Sequence, residues 1–149
     1  ELVTAGLDPI HWSEPEGSPE SDAEIGKKFP LLLIQGKVVH HWQHTFTNRS
    51  AYMAQFSEGS YVQVHPDTVR DLGIDNGCWV LLETEGGSIR ARAKINELIM
   101  PGVVWTPSYP SPSSPFEANR GECINNIIPA RWDLVGAQFN GFGCRLLKV

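Results

Sequence analysis

The sequence predicts a mainly β domain built as a small barrel, with one or two short helices. Two observations carry this. Apolar runs of about four to eight residues recur along the chain between glycine- and proline-marked turns, while helical periodicity is confined to short pieces. The run Ser88–Ile95 alternates strictly: Ile89, Ala91, Ala93 and Ile95 oppose Ser88, Arg90, Arg92 and Lys94, so one face is buried and the other wet. Many short strands with long excursions between them favour a barrel over a sandwich.

Residues 1–28 hold three prolines, clustered Ser and Glu, and little periodicity, which reads as a linker or extended arm. Ile10 and Trp12 are available to pin it to a neighbouring surface. The domain proper runs over 29–149. It opens on a strand, since Phe29 and Leu31–Ile34 form an apolar run of strand length. At Gly36 the character changes. Lys37, His40, His41, Trp42, Gln43, His44 and Thr45 follow, and no acid stands between Gly36 and Arg49. A core strand that opens at a glycine into donors and an aromatic suits a phosphorylated or heterocyclic ligand.

Residues 50–59 predict a short helix or turn whose Tyr52, Met53 and Phe56 pack into the core. Ser60–His65 alternates as a half-buried strand. Pro66–Leu72 carries helix signals at both ends, with proline in the first turn and Gly73 at the C′ position, and places Val69 and Leu72 inward. His65 caps or packs locally. Asp75-Asn76-Gly77 turns into a strand over Cys78–Thr84, and Glu85-Gly86-Gly87 turns into Ser88–Ile95, making a hairpin. The Arg90, Arg92 and Lys94 stripe reads as a solvated face. Val103–Trp105 is a further strand, and Trp79 and Trp105 are expected in the core. Residues 106–121, with four prolines and four serines, form a loop long enough to be functional or mobile. A glycine-rich stretch, 136–143, leads to a closing strand over Cys144–Val149.

Charge is unevenly placed. Of 17 acids and 12 bases, seven acids and two lysines lie in 1–28, leaving ten of each in the body. The acidity belongs to the leader, and the body lacks the basic excess of a nucleic-acid binder. Cys78, Cys123 and Cys144 lack CxxC spacing and are expected as buried free thiols. No apolar run reaches the length of a membrane span, and the first residues lack a signal-peptide layout. The compartment stays open between cytoplasm and periplasm, the cytoplasm being favoured. The first residue is Glu1 rather than Met, as in a fragment or processed chain. His41 and His44 lack a third ligand for zinc, and no Gly-x-Ser-x-Gly elbow marks a hydrolase.

Five pieces in order carry a resemblance: FPLLLIQGK with HHWQHT; SYVQVHPDTVRDLGIDNGCWVLLET; GGSIRARAKI; PGVVWTPSY; and NNIIPARWD closed by GCRLLKV. From about Phe29 to Val149 the chain resembles the C-terminal cofactor-binding domain of molybdenum and tungsten oxidoreductases of the dimethyl-sulfoxide-reductase and formate-dehydrogenase type. The resemblance implies a six-stranded double-psi β-barrel that holds molybdopterin guanine dinucleotide, with molybdenum or tungsten. It implies cofactor contacts at Gly36, Lys37, His41, Trp42, Gln43, His44, Thr45 and Asn126. Ser108-Tyr109 stands where many members have Phe-His. No catalytic residue and no metal ligand are expected here, because the metal ligand and iron–sulfur cysteines of such enzymes lie elsewhere. The implied partners are the remaining domains of a parent molybdoenzyme, or its large subunit, and an iron–sulfur electron-transfer partner. Two other readings stay open: a free-standing small subunit like that of formylmethanofuran dehydrogenases, and a double-psi barrel used only for protein interaction.

Overall fold

The computed structural model describes residues 23–38, 48–129 and 142–149. Its strands are β1 (Leu31–Gly36), β2 (Tyr61–Val64), β3 (Trp79–Thr84), β4 (Gly87–Ile95), β5 (Val103–Pro107) and β6 (Phe142–Lys148). They close into a double-psi barrel in the order β1-β5-β2-β4-β3-β6. Two pairs are parallel, β1 with β5 (Leu33 opposite Val104) and β2 with β4 (Val62 opposite Ala93). The other four are antiparallel.

Alternation fills the interior. Leu33, Val62, Val64, Val80, Leu82, Ile89, Val104 and Leu146 point inward and are almost fully buried. Ala91 and Ala93 supply the small side chains that a narrow six-stranded barrel needs on its longest strand. Burial of β6 ends at Leu146, and Leu147 is 41% exposed.

Strand direction places the connections. β1, β3 and β5 run one way and β2, β4 and β6 the other, as the pairings require. The ends of β1, β3 and β5 therefore share one mouth with the starts of β2, β4 and β6. The connections 37–60, 85–86 and 108–141 all open there. The connections after β2 and after β4 lie at the opposite end, as does the entry of the chain into β1.

Among the described residues three short α-helices join this frame: α1 (Ala23–Lys28), α2 (Ala51–Ala54) and α3 (Pro66–Val69). The leader, read as an extended arm, thus ends in a helical turn that packs on β6, with Lys27 and Lys28 placed favourably at its C-terminal end. α3 starts as expected, His65 Nδ1 accepting the Asp67 N–H at 3.1 Å. The two-turn helix changes character midway, because Arg70–Leu72 is a 3₁₀ turn. The tighter winding carries Leu72 off the face that buries Val69, and Leu72 is 43% exposed rather than inward. Gly73 closes the turn in the left-handed region at φ 60.

Other aromatic placements also differ from expectation. Tyr52 and Phe56 stack edge-on with ring centroids 5.5 Å apart, but on the surface. A single helical turn is too short to present both to the core. Trp79 precedes the inward Val80, so alternation sends it outward. Trp105 likewise lies between inward Val104 and Thr106; it is half-buried and packs on Tyr61 with centroids 6.0 Å apart. All three cysteines are free, but only Cys144 is fully buried. Among the described residues no helix is long and apolar enough to cross a membrane.

Candidate functional site

Gly36 ends β1 at the mouth. Its carbonyl accepts both the N–H of Ser108, at 3.1 Å, and the Ser108 hydroxyl, at 3.0 Å, fastening the exit of β1 to that of β5. A Cβ at Gly36 would stand 2.4 Å from Nε1 of Trp105. The missing side chain is thus required first by the packing of Trp105. Lys37 follows, exposed to solvent and without an ion pair among the described residues. His41, Trp42, Gln43, His44 and Thr45 lie outside the described residues. Their connection leaves the described chain at Val38 and rejoins it at Asn48.

Asn126 ends a 3₁₀ turn, Ile124–Asn126, seated on the β3–β4 hairpin. The Thr84 hydroxyl donates to the Ile127 carbonyl and accepts the N–H of Gly86 at 3.0 Å. A Cβ on Gly86 would come within 2.6 Å of that same Ile127 oxygen, so glycine is what lets the turn settle onto the hairpin. Ile124 and Ile127 are buried beneath, leaving Asn125 and Asn126 exposed at the rim. In the barrel order β1 is neighbour to β5 and β6, three places from β4. Gly36–Lys37 and Asn126 therefore stand on opposite walls of one mouth.

The parallel β1–β5 pair gathers residues that lie far apart in the sequence. Asn48 and Arg49, the segment 108–111, Ser113–Pro115 and Cys123 enclose a cavity of about 250 Å³. Asn48 is its hinge pin. Its Nδ2 donates to the Tyr109 carbonyl at 2.5 Å, and its own carbonyl accepts from Ser114 Oγ at 3.3 Å and Asn119 Nδ2 at 3.1 Å. The proline-serine loop is thus a bonded wall, with Tyr109, Ser114 and Asn119 buried in it. Its length was the available signal, but only the pairing of two strands far apart in sequence reveals which mouth it lines.

Tyr109 occupies the place where the resemblance expects histidine. Its hydroxyl accepts the Glu58 N–H at 3.0 Å and donates to the Gly59 carbonyl at 3.3 Å. Burial raises its pKa above the ordinary value, so it is a neutral strut rather than an open ligand contact. Tyr61 is pushed up to about 12, first by burial and then by the charges of Tyr109 and Glu58. A raised acid pKa holds the proton in the folded state. Its stabilisation is complete below about pH 10, where the unfolded phenol begins to ionise, and is lost as pH rises towards about 12. Tyr61→Phe is expected to flatten that alkaline decline in urea-unfolding midpoints; an unchanged decline would refute the assignment.

The wall of the 250 Å³ cavity contains Arg49 and several serine hydroxyls and no acid, a donor set that fits phosphate and ribose oxygens. At below about 300 Å³ it takes part of a dinucleotide, not the whole. Among the described residues the buried Oδ1 atoms of Asn48 and Asn119 have no hydrogen-bond partner, so acceptor capacity is left over behind the same wall. Among the described residues no group of three or more His, Cys, Asp or Glu is placed to hold a metal ion.

Comparison with known proteins matches this geometry to a family. Residues 31–142 match the model of the Molydopterin dinucleotide binding domain, and the chain belongs to that family. It is 30% identical over 101 residues to F420-dependent formate dehydrogenase 1 subunit alpha of Methanococcus maripaludis, covering 67% of this chain and 14% of that protein. It is 31% identical over 96 residues to the assimilatory nitrate reductase catalytic subunit of Bacillus subtilis, covering 64% of this chain and 13% of that protein. Acetylene hydratase from Pelobacter acetylenicus has the same fold, with a TM-score of 0.78 at 20% identity over 99% of this chain and 22% of that one. The chain thus spans about one seventh of the length of the curated relatives it matches. It is a molybdopterin dinucleotide-binding domain of the kind found in the large subunits of molybdenum and tungsten oxidoreductases.

Proposed function

We propose that residues 29–149 hold the guanine-nucleotide part of a molybdopterin guanine dinucleotide for a reaction centre elsewhere in a larger oxidoreductase subunit, residues 1–28 being the entry linker. The observation that carries this is the convergence of Gly36–Lys37, the Arg49–serine cavity and Asn126 at one mouth of a barrel whose family binds the dinucleotide. The cofactor supplies the metal chemistry. The residues of this chain bind and orient it: Lys37 offers a point charge to phosphate, His41, Gln43, His44 and Thr45 offer ring, amide and hydroxyl groups, and Trp42 offers a flat face. Asn126 closes the site from the hairpin side. The remaining domains of the parent subunit and an iron–sulfur electron donor or acceptor complete the enzyme, and a cytoplasmic setting is favoured.

Replacing His41 or Asn126 by Ala removes one hydrogen bond to a charged or polar ligand group, about 1.5–3 kcal/mol at a charged one. That weakens cofactor retention about tenfold or more. The measurement is pterin and metal content of the purified parent enzyme beside the circular dichroism of the isolated variant. Lower content with an unchanged spectrum is expected. Equal content in variant and wild type would overturn the assignment of those residues.

A further inference from the structure

Arg90, Arg92 and Lys94 read in the sequence as a solvated stripe, but the fold sets two further features beside them. Trp79, the first residue of β3, lies opposite Arg92 on the outer face and is 39% exposed. The guanidinium carbons of Arg92 and Arg90 stand 4.4 and 5.4 Å from its ring centroid, so the indole steadies both side chains by cation–π contact. The rim segments 58–60 and 120–122 then wall this face into a groove of about 360 Å³. Those walls are bonded to their surroundings. The Gly59 N–H donates to the Ala118 carbonyl at 3.0 Å, and the Ser60 hydroxyl donates to the Glu122 carbonyl at 3.3 Å.

Both acids of the groove are engaged. Glu58 pairs with Lys94, and the Glu122 carboxylate accepts the Arg90 backbone N–H at 2.9 Å. Among the described residues none of the Arg90, Arg92 and Arg120 guanidiniums forms an ion pair. Arg92 uses one N–H on the Gly77 carbonyl at 2.9 Å and Arg120 one on the Ser114 carbonyl at 3.0 Å, and all three side chains are exposed. With Lys94 counted, four bases stand here against two acids, a positive face on a chain whose net charge is −5.

Charge and composition select the occupant. A guanidinium fork takes a carboxylate through two parallel hydrogen bonds. An exposed tryptophan flanked by arginines is the composition of an interface centre. Closely spaced nucleic-acid phosphates would meet Glu58 and Glu122 and the negative charge of the whole chain. A polypeptide can space its carboxylates to the arginines and lay an apolar side chain on the indole between them. We propose that the Trp79–Arg90–Arg92–Arg120 groove is a docking site for an acidic segment of a partner polypeptide, whose carboxylates the guanidiniums clamp and whose apolar side chain covers Trp79. The site is on the outer wall and does not depend on what the mouth binds. Arg120 also fastens the Ser114 carbonyl of the mouth cavity, so the test leaves it in place.

The test is an amide-resolved NMR titration of the full 149-residue chain with the peptide acetyl-Glu-Glu-Leu-Glu-Glu-amide, beside its Gln-Gln-Leu-Gln-Gln counterpart. A chain of net charge −5 gives a polyanion no general attraction, so binding reports the groove. Shifts are expected at 58–60, Trp79, 90–94 and 120–122 with the acidic peptide and not with the neutral one. Arg90→Gln/Arg92→Gln should weaken binding about tenfold, at about threefold to fivefold per exposed ion pair. Arg90→Gln alone, which removes no hydrogen bond made by the side chain among the described residues, should give the smaller loss with native barrel signals. Guanosine diphosphate binding should be the same in these variants as in wild type. No shift at about 5 mM peptide, the same shifts with the neutral peptide, or unchanged affinity in the double variant would overturn the proposal. Tighter binding of an oligodeoxythymidylate at the same residues would assign the groove to nucleic acid and overturn it as well.

Discussion

Leu82→Ala is expected to lower the unfolding free energy of the barrel by about 3 kcal/mol, within the range of 2–5 kcal/mol seen when a fully enclosed leucine is truncated. Leu82 has no exposed surface and sits opposite Ile89 on one side and Leu146 on the other. Its neighbours belong to three strands hydrogen-bonded into a closed ring, so they cannot collapse into the space it leaves. Against a total of about 5–15 kcal/mol for a domain, this is a large share. A urea titration should show a lower midpoint at unchanged slope. Leu147→Ala, one residue beyond Leu146 and 41% exposed, should change stability by less than about 0.5 kcal/mol. Similar losses at both positions would contradict the inward–outward assignment of the β3–β6 pair.

Lys37→Glu combined with Arg49→Glu should weaken guanosine diphosphate binding about 100-fold, about tenfold per cation converted, while leaving the unfolding midpoint nearly unchanged. Both side chains are exposed, and neither supports another element through an ion pair among the described residues. The proposed function gives them the phosphates of the ligand to contact. The salt dependence of binding should fall with the charge, because fewer phosphate contacts remain to be screened. Retained affinity would place the phosphates elsewhere on the mouth.

How much of this could be read from the sequence follows from the range of the interactions involved. Local signals worked where local physics decides: the alternation of Ser88–Ile95, the Asn76-Gly77 turn, the proline start and glycine stop of α3, and the His65 cap. They failed where one residue of phase matters. A continuous α-helix would place Leu72 inward, and the 3₁₀ turn alters the phase. The apolar character of Trp79 suggests the core, whereas alternation with Val80 and Leu82 points it to solvent. The spacing of Tyr52 and Phe56 suggests the core, but a single helical turn cannot exploit it. For the candidate site, Gly36, Lys37 and Asn126 stand out as motifs and Arg49 and Ser108-Tyr109 by their position, but Asn48 as the pin of a bonded wall after β5 does not. Asn48 and that wall become neighbours only through the β1–β5 pairing, between strands separated by three others along the chain. At Gly36 the sequence suggests close approach of a ligand, whereas the indole of Trp105 is the nearer reason for glycine.

The central claim, that this barrel end receives the guanine nucleotide of the cofactor, is tested most directly by an amide-resolved NMR titration of the full chain with guanosine diphosphate, with adenosine triphosphate as control. The account predicts shifts confined to Gly36–Arg49, the 108–115 wall and the Asn125–Asn126 rim, larger for the guanine nucleotide. Shifts at the opposite end of the barrel, or an equal response to both nucleotides, would contradict it.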